Sequence, residues 1–595
     1  MKLYGKVRLA ALIAASVMLV ACSSLRMTSP SAPDREKTDA AAQVSPFGGL
    51  PPVTIPADAR AMADFLKAQV ASNEGDRKNA LQFFADAVRD DPNNAALRVH
   101  LATLYVRDGE LKPALEQINK ALELDPSLVD ARLLAAGLDS ATGDNNAAVQ
   151  QYQQVLQADP RNQEAYLYLG TLFAQQGKYK DALNTFQRMI KADPHSFLGY
   201  YYPGRVAAAA QNYPLADTYL HQALLLNPES ELALMDLGLL RELEDQPQEA
   251  IQIYQKVLHA NPDNDTARKR LAELYVGQKK FDQALTEFQH LEKMETNPED
   301  TRVKIGLLYF ERGDFEQAAT EFNLVLGAQP NNYRVHYYLG SVYSEMNEPE
   351  KAEAQFNAIP PDADHYVESR VHLAYLYDKN KQYDQALDAL NQALAKKPKD
   401  TELMGFMAGV YREKKDLPAA IALVKKMIAI DPRNDKYHFT LGALYDENKQ
   451  KDLSIGELKQ AIALNPSNAQ ALNYLGYTYA EMGTHLGEAE RLVRRAIDLE
   501  PEDGFYIDSL GWVYYQQGHY KAAAKELERA VDLTGDDPTI TEHLADTYQK
   551  LGNYQAANHL YNQALSKSQE SDQVERLRVK LQNLRADQHV QPQAQ

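Results

Sequence analysis

The sequence predicts an all-α solenoid of about fifteen stacked helix–turn–helix units with a C-terminal capping helix, and three regularities predict it. Pro92, Pro126, Pro160, Pro194, Pro228 and Pro262 stand 34 residues apart, and Pro298, Pro330, Pro360, Pro398, Pro432, Pro466, Pro501 and Pro538 continue the series with small slips. With this proline as position 32 of each repeat, position 8 is Gly or Ala fifteen times, from Ala68 to Ala545. Position 20 is Ala from Ala80 to Ala557, except at Ser454 and allowing one inserted residue near Ala489. A fixed period of this length marks a stacked array, which replaces the roughly four domains that chain length alone suggests.

Each recurring position has a physical reason. Positions 4, 7, 8 and 11 lie three or four residues apart and share one face of the first helix. Small residues at 8 and 20 let the two helices of a hairpin approach closely. Tyrosine at position 11, as in Tyr105, Tyr275, Tyr343, Tyr445 and Tyr514, fills the gap between neighbouring repeats. Glycine near position 15, as in Gly109 or Gly313, supports the turn between the helices. The proline ends the second helix, and Asn94, Asn162, Ser196, Asn264, Asn434 and Asn468 are placed to cap the next first helix. No hairpin buries its apolar face alone, so stability comes from stacking.

The irregularities are specific. Pro330 to Pro360 is 30 residues and Pro360 to Pro398 is 38, so Pro360-Pro361-Asp362 reads as a phase break between repeats 1–9 (61–361) and 10–15 (362–566). It is either a hinge or a longer loop in a rigid stack. Pro203 falls inside a first helix, where loss of a backbone hydrogen bond should kink it. Beyond Ser566, in 567–595, Val574, Leu577, Leu581 and Leu584 recur at 3-4-3 spacing and read as the capping helix, with a loose polar tail from Ala586.

Composition narrows the function. With 45% hydrophobic and 24% charged residues the chain has the make-up of a folded protein, and a mean hydropathy of −0.49 excludes a multi-span membrane protein. A net charge of −19 argues against nucleic acid or an anionic lipid surface as ligand. One cysteine excludes a disulfide framework, an iron–sulfur cluster and a multi-cysteine zinc site.

That cysteine follows a positive stretch (Lys2, Lys6, Arg8) and thirteen mostly apolar residues, Leu9 to Ala21, too few to span a bilayer but suited to a signal peptide. Leu19-Val20-Ala21-Cys22 resembles the lipobox of bacterial lipoproteins. The resemblance implies cleavage after residue 21, acylation of Cys22 and, with Ser23 following, an outer-membrane destination facing the periplasm. Several acyl chains suffice for stable anchoring. A plain secretory signal is the alternative. Residues 23–60, rich in Ser, Pro and Gly without an apolar period, read with Cys22 as a lipidated tether (22–60) that reaches about 35 Å.

The 34-residue pattern resembles the tetratricopeptide repeat, best in Tyr166, Leu169, Gly170, Phe173, Gly177, Tyr179, Ala182, Phe186 and Pro194. The resemblance covers about residues 61–566. It implies a right-handed superhelix whose first helices line a concave face, with positions 2, 5, 9 and 12 pointing into it. The family's carboxylate clamp, Lys at 5 with Asn at 9, is not carried over: Lys269 meets Glu273 and Asn473 meets Tyr477. ALNYLGYTYAEMG and DGFYIDSLGWVYYQQGHYKAA are also similar to the C-terminal repeats of envelope-associated repeat lipoproteins.

No phosphate-binding loop, dinucleotide fingerprint, His-Glu-x-x-His pair or Gly-x-Ser-x-Gly elbow occurs. Fourteen histidines lack ligand spacing, and His336 and His438, both at position 4, suit a core or edge role. No cofactor, no metal and no catalysis are expected. The expected groove is aromatic instead: Tyr201, Arg205, Tyr337, Tyr375 and Phe439, then Tyr477, Phe505, Asp508, Trp512 and Tyr515. Such rings suit an apolar or extended peptide, or stacked sugar rings, unless neighbouring side chains cover them. The leading reading is a membrane-tethered scaffold for protein or peptide partners of an envelope assembly or export system. A glycan-binding protein for secreted polysaccharide or peptidoglycan is the second, and an enzyme with an unrecognised site the third.

Overall fold

A computed structural model describes residues 55–535 and 537–590. The signal segment, Cys22 and most of the tether lie outside them. The described residues form thirty-one helices and no strand. They divide between Thr301 and Arg302 into two compact bodies, each a succession of antiparallel helical hairpins.

The hairpin Gln163–Gln175 and Tyr179–Ala192 shows why the sequence folds this way. Asn162 caps the first helix by accepting from the Ala165 N–H, and Asn94, Ser196, Asn264, Asn434 and Asn468 cap theirs likewise. Position 15 takes the left-handed conformation in all fifteen repeats, from Gly75 (φ 77°) to Gly552 (φ 78°). Seven of these residues carry side chains, among them Lys279, Lys381 and Lys415, so the turn is imposed by the hairpin even where the residue resists it. Every position-20 residue, Ser454 included, is fully buried. A Cβ at Gly238 would come within 2.5 Å of the Tyr254 ring, and one at Gly306 within 2.6 Å of Phe322. Position 8 is small because the large side chain at position 24 lies directly on it. Each such buried side chain contributes about 1.5–3 kcal/mol of transfer free energy.

Repeats join through two further contacts. The position-11 tyrosine reaches position 25 of the preceding repeat: Gln255 donates to the Tyr275 hydroxyl at 2.9 Å, and Lys425 sits 5.4 Å over the Tyr445 ring. The position-4 side chain braces the preceding loop. Arg98 donates to the Pro92 carbonyl at 2.7 Å and to Gln117 at 2.8 Å. His336 does the same between Pro330 (3.0 Å) and Gln355 (2.7 Å), and His438 between Pro432 (3.4 Å) and Glu457 (2.6 Å). These two histidines therefore have the expected structural role.

The phase break is a helix cut short. Repeat nine's second helix is Pro349–Asn357, nine residues where its counterparts have fourteen. Buried Arg370 closes the exposed end, donating to the Phe356 carbonyl and, at 3.0 Å, to Asn357 Oδ1, with its guanidinium 5.0 Å over the Tyr366 ring. Ile359 packs inside the connection. Phe197–Ala209 is helical with Pro203 inside it, as expected. One local expectation changes: the capping helix Ser571–Val590 runs beyond Ala586, with Leu577, Leu581 and Leu584 buried.

Candidate functional site

In the first body, Tyr201 and Arg205 are buried rather than displayed. Tyr201 stacks on Phe197 at 5.5 Å, the Arg205 guanidinium lies 5.8 Å from the Tyr201 ring, and Arg205 Nε is 3.4 Å from Asp236. Burial pushes the Asp236 carboxyl upward although Arg205 and the Tyr201 hydroxyl oppose it. This cluster braces repeats five and six.

In the second body the candidates separate into four places. Tyr337 stacks on His365 at 4.9 Å and its hydroxyl lies 3.2 Å from His372 Nε2. Tyr375 stands 60% exposed. Phe439 meets Tyr474 edge-on at 6.0 Å. The others converge in repeats thirteen to fifteen, on helices Ala469–Glu481, Gly504–Gln516 and Pro538–Lys550. Trp512 lies parallel to Tyr515 at 4.6 Å and to His543 at 4.2 Å. Two rings at these distances overlap if placed side by side on one face, so they sandwich the indole. Tyr477 borders His543 at 6.4 Å. Asp508 is buried beneath, its Oδ1 2.9 Å from His543 Nδ1. Phe505 projects from the same helix, 58% exposed.

The electrostatics of this cluster follow from its neighbours. Burial alone would lower the His543 pKa, but the charge and hydrogen bond of Asp508, with Asp546 and Glu542 behind, raise it overall. Burial pushes the Tyr515 hydroxyl up to about 12, helped by Asp546.

Sequence reasoning missed two parts of this site. His543 occupies position 6, outside the four positions taken to line the groove. The signal was present, because position 6 also carries His100, Tyr168, Tyr202, Tyr338, His372 and Tyr474. The capping helix was expected, but not its grip. Arg576 and Lys580 reach Glu542 at 2.8 Å each, Lys580 reaches Asp546 at 2.6 Å, and Gln573 reaches Thr539 at 3.2 Å. Gln573–Thr539, Arg576–Glu542 and Lys580–Asp546 are each 34 residues apart, so the capping helix stands where the first helix of another repeat would stand and covers positions 2, 5 and 9 of repeat fifteen.

Among the described residues no cluster of His, Cys, Asp and Glu is arranged to hold a metal, and no helix is long and apolar enough to cross a membrane. The arrangement offers contact area, stacked rings and a buried Asp508–His543 hydrogen bond, which suit binding.

Models of the tetratricopeptide repeat match residues 71–138, 243–306, 309–376 and 379–445, and others so described match 134–197, 204–265, 457–491, 511–552 and 542–567. A TPR repeat-containing protein of Pseudomonas aeruginosa is 46% identical over 59 residues, which is 10% of this chain and 10% of that protein. The chain thus spans about a tenth of that relative's length. A tetratricopeptide repeat protein from Parabacteroides merdae is 20% identical, with 42% of this chain and 98% of that one covered and a TM-score of 0.33. Yeast Tom70 is 13% identical, with 89% and 97% covered and a TM-score of 0.32. With its period, its small-residue contacts and matches along most of its repeats, the chain belongs to the tetratricopeptide repeat family.

Proposed function

We propose that this protein is a non-catalytic scaffold, moored at the outer membrane through acylated Cys22, that holds protein or peptide partners of an envelope assembly or export system on the aromatic surface of repeats thirteen to fifteen. The repeat family makes it a protein-interaction scaffold; the mooring, the surface and the class of partner are the proposal. The observation that carries it is Phe505, an exposed ring on the same helix as buried Asp508 and the half-buried Trp512–Tyr515 stack. An exposed aromatic on a rigid, fully packed base is the usual anatomy of a binding hot spot. Both faces of Trp512 are occupied by rings, which leaves no indole face for a sugar and favours a peptide over a glycan.

Crosslinking in native membranes with identification of the products by mass spectrometry tests this reading. Specific proteins are expected, joined near repeats thirteen to fifteen, unaffected by glycan competitors and reduced at least fivefold by Phe505→Ser. Capture that soluble polysaccharide abolishes would establish the glycan reading instead. Cys22→Ser is expected to move the protein from the membrane to the soluble fraction, and retention at the membrane would refute the mooring.

A further inference from the structure

The first helix, Ala57–Asn73, carries a row of apolar side chains that nothing described covers. Met62 is 59% exposed, Leu66 55% and Val70 55%, with Ala63 exposed between them and Ile55 before them. These are positions 2, 3, 6 and 10 of repeat one. In later repeats positions 3, 6 and 10 form the seam with the preceding hairpin, whereas position 2 stays exposed, as at Leu232 and Phe505. Position 3 is buried as Leu97, Ala131, Ala165 and Ala233, and position 10 as Leu138, Leu172, Val206 and Leu240. Position 6 receives the ring at position 24 of the repeat before: His100 stacks on Phe84 at 5.7 Å, and Tyr202 on Phe186 at 6.1 Å. Repeat one thus presents the receiving half of the seam.

What fits a seam is what fills it elsewhere in this chain. We propose that the Ala63–Leu66–Val70 face is a docking site for an amphipathic helix of a partner protein, which takes the place that a preceding second helix takes in the later repeats. The partner helix places an aromatic or long aliphatic side chain over Leu66, with apolar neighbours three to four residues to either side. The charged residues beside the stripe are already engaged, Lys67 with Asp64 at 2.8 Å and Arg60 with Asp90 at 3.1 Å, so recognition is apolar. A second copy of the chain suits the face poorly. Antiparallel pairing about Leu66, which registers Met62 with Val70, sets Asp58 against Glu74 of the other copy, and like charges in contact are unfavourable. The site lies in the first body, apart from the aromatic surface of repeats thirteen to fifteen, and stands or falls independently of it.

The probe is a fluorescent peptide copying Tyr179–Ala192, stapled across exposed Asn184 and Arg188 because a free helix of this length is marginal in water. The full chain is expected to bind it, and Leu66→Glu to weaken binding at least tenfold with an unchanged melting temperature, since Leu66 is exposed. No binding, or equal binding by both forms, overturns the proposal. A photocrosslinker in place of Val70 in the full chain, in its own cells, is expected to join a different protein within a segment of helical apolar spacing. Products joined to residues 1–54 or to a second copy, or none above a control crosslinker at exposed Lys78, overturn it too.

Discussion

Asp508 and His543 face each other 2.9 Å apart on successive first helices, both buried, with the indole of Trp512 stacked on the imidazole. Because this contact raises the His543 pKa above its ordinary 6.5, the stability it supplies is complete below that value and is lost as pH rises through the folded value. Urea unfolding followed by the fluorescence of Trp512, the single tryptophan, is expected to show a midpoint that falls as pH is raised above 6.5. Asp508→Asn should lower the midpoint at pH 6 and remove the slope. A slope kept in that variant would refute the assignment.

The capping helix responds in the opposite sense. Burial alone would raise the Glu542 pKa, but the hydrogen bonds and charges of Arg576 and Lys580 hold it at about 2, below its ordinary 4.5. That contribution is present above pH 4.5 and is lost as pH falls toward 2. Hydrogen exchange in Ser571–Leu584 is expected to speed up across this interval before exchange in repeats one to seven does. Glu542→Gln should produce the same acceleration at pH 7.

Two glycines in first helices should behave oppositely. Gly238→Ala pushes a Cβ against the Tyr254 ring, and overpacking of this kind costs about 1–3 kcal/mol. Gly137, in Val129–Thr142, has open space around its Cβ position, so Gly137→Ala should stabilise by about 1 kcal/mol through helix propensity. Urea titrations of both variants check the pair, and the same sign in both would contradict the packing.

Lysine is strained at position 15. Lys415, at φ 64°, pays for a left-handed turn that glycine adopts freely, so Lys415→Gly is expected to stabilise by about 0.5–1 kcal/mol, less the extra freedom glycine gives the unfolded chain. Gly177→Lys should destabilise repeat four by a similar amount. Melting temperatures read both.

Trp512→Ala is a stability test rather than a binding test. Its ring lies between Tyr515 and His543 against a core of Leu475, Leu510 and Val513, so truncation should cost about 3–5 kcal/mol. Phe505→Ala, at an exposed ring, should leave unfolding within about 0.5 kcal/mol of wild type. The contrast separates the base of the surface from its tip.

Repeat positions were legible in the sequence because one physical constraint recurs fifteen times: Ala or Gly at 8 and Ala at 20 record a contact too close for anything larger. The caps Asn94 and Asn468 and the tyrosines Tyr275 and Tyr445 were legible for the same reason. The candidate surface was only partly so. Position along the first helix says which way a side chain points, not what lies over it, and Tyr201, Arg205 and Asp508 are covered by neighbours from the next repeat. The shortened helix Pro349–Asn357 showed in the proline spacing, but Arg370 as its closure did not, since that contact joins residues 14 apart across a turn.

Gln573, Arg576 and Lys580 meet Thr539, Glu542 and Asp546 at the offset of one whole repeat, so the array ends in a half-repeat with a charged fastening. Such an ending is independent of how many hairpins precede it. A 34-residue block added or removed upstream would leave each of these contacts in register, because they depend only on the final hairpin and the helix that follows it.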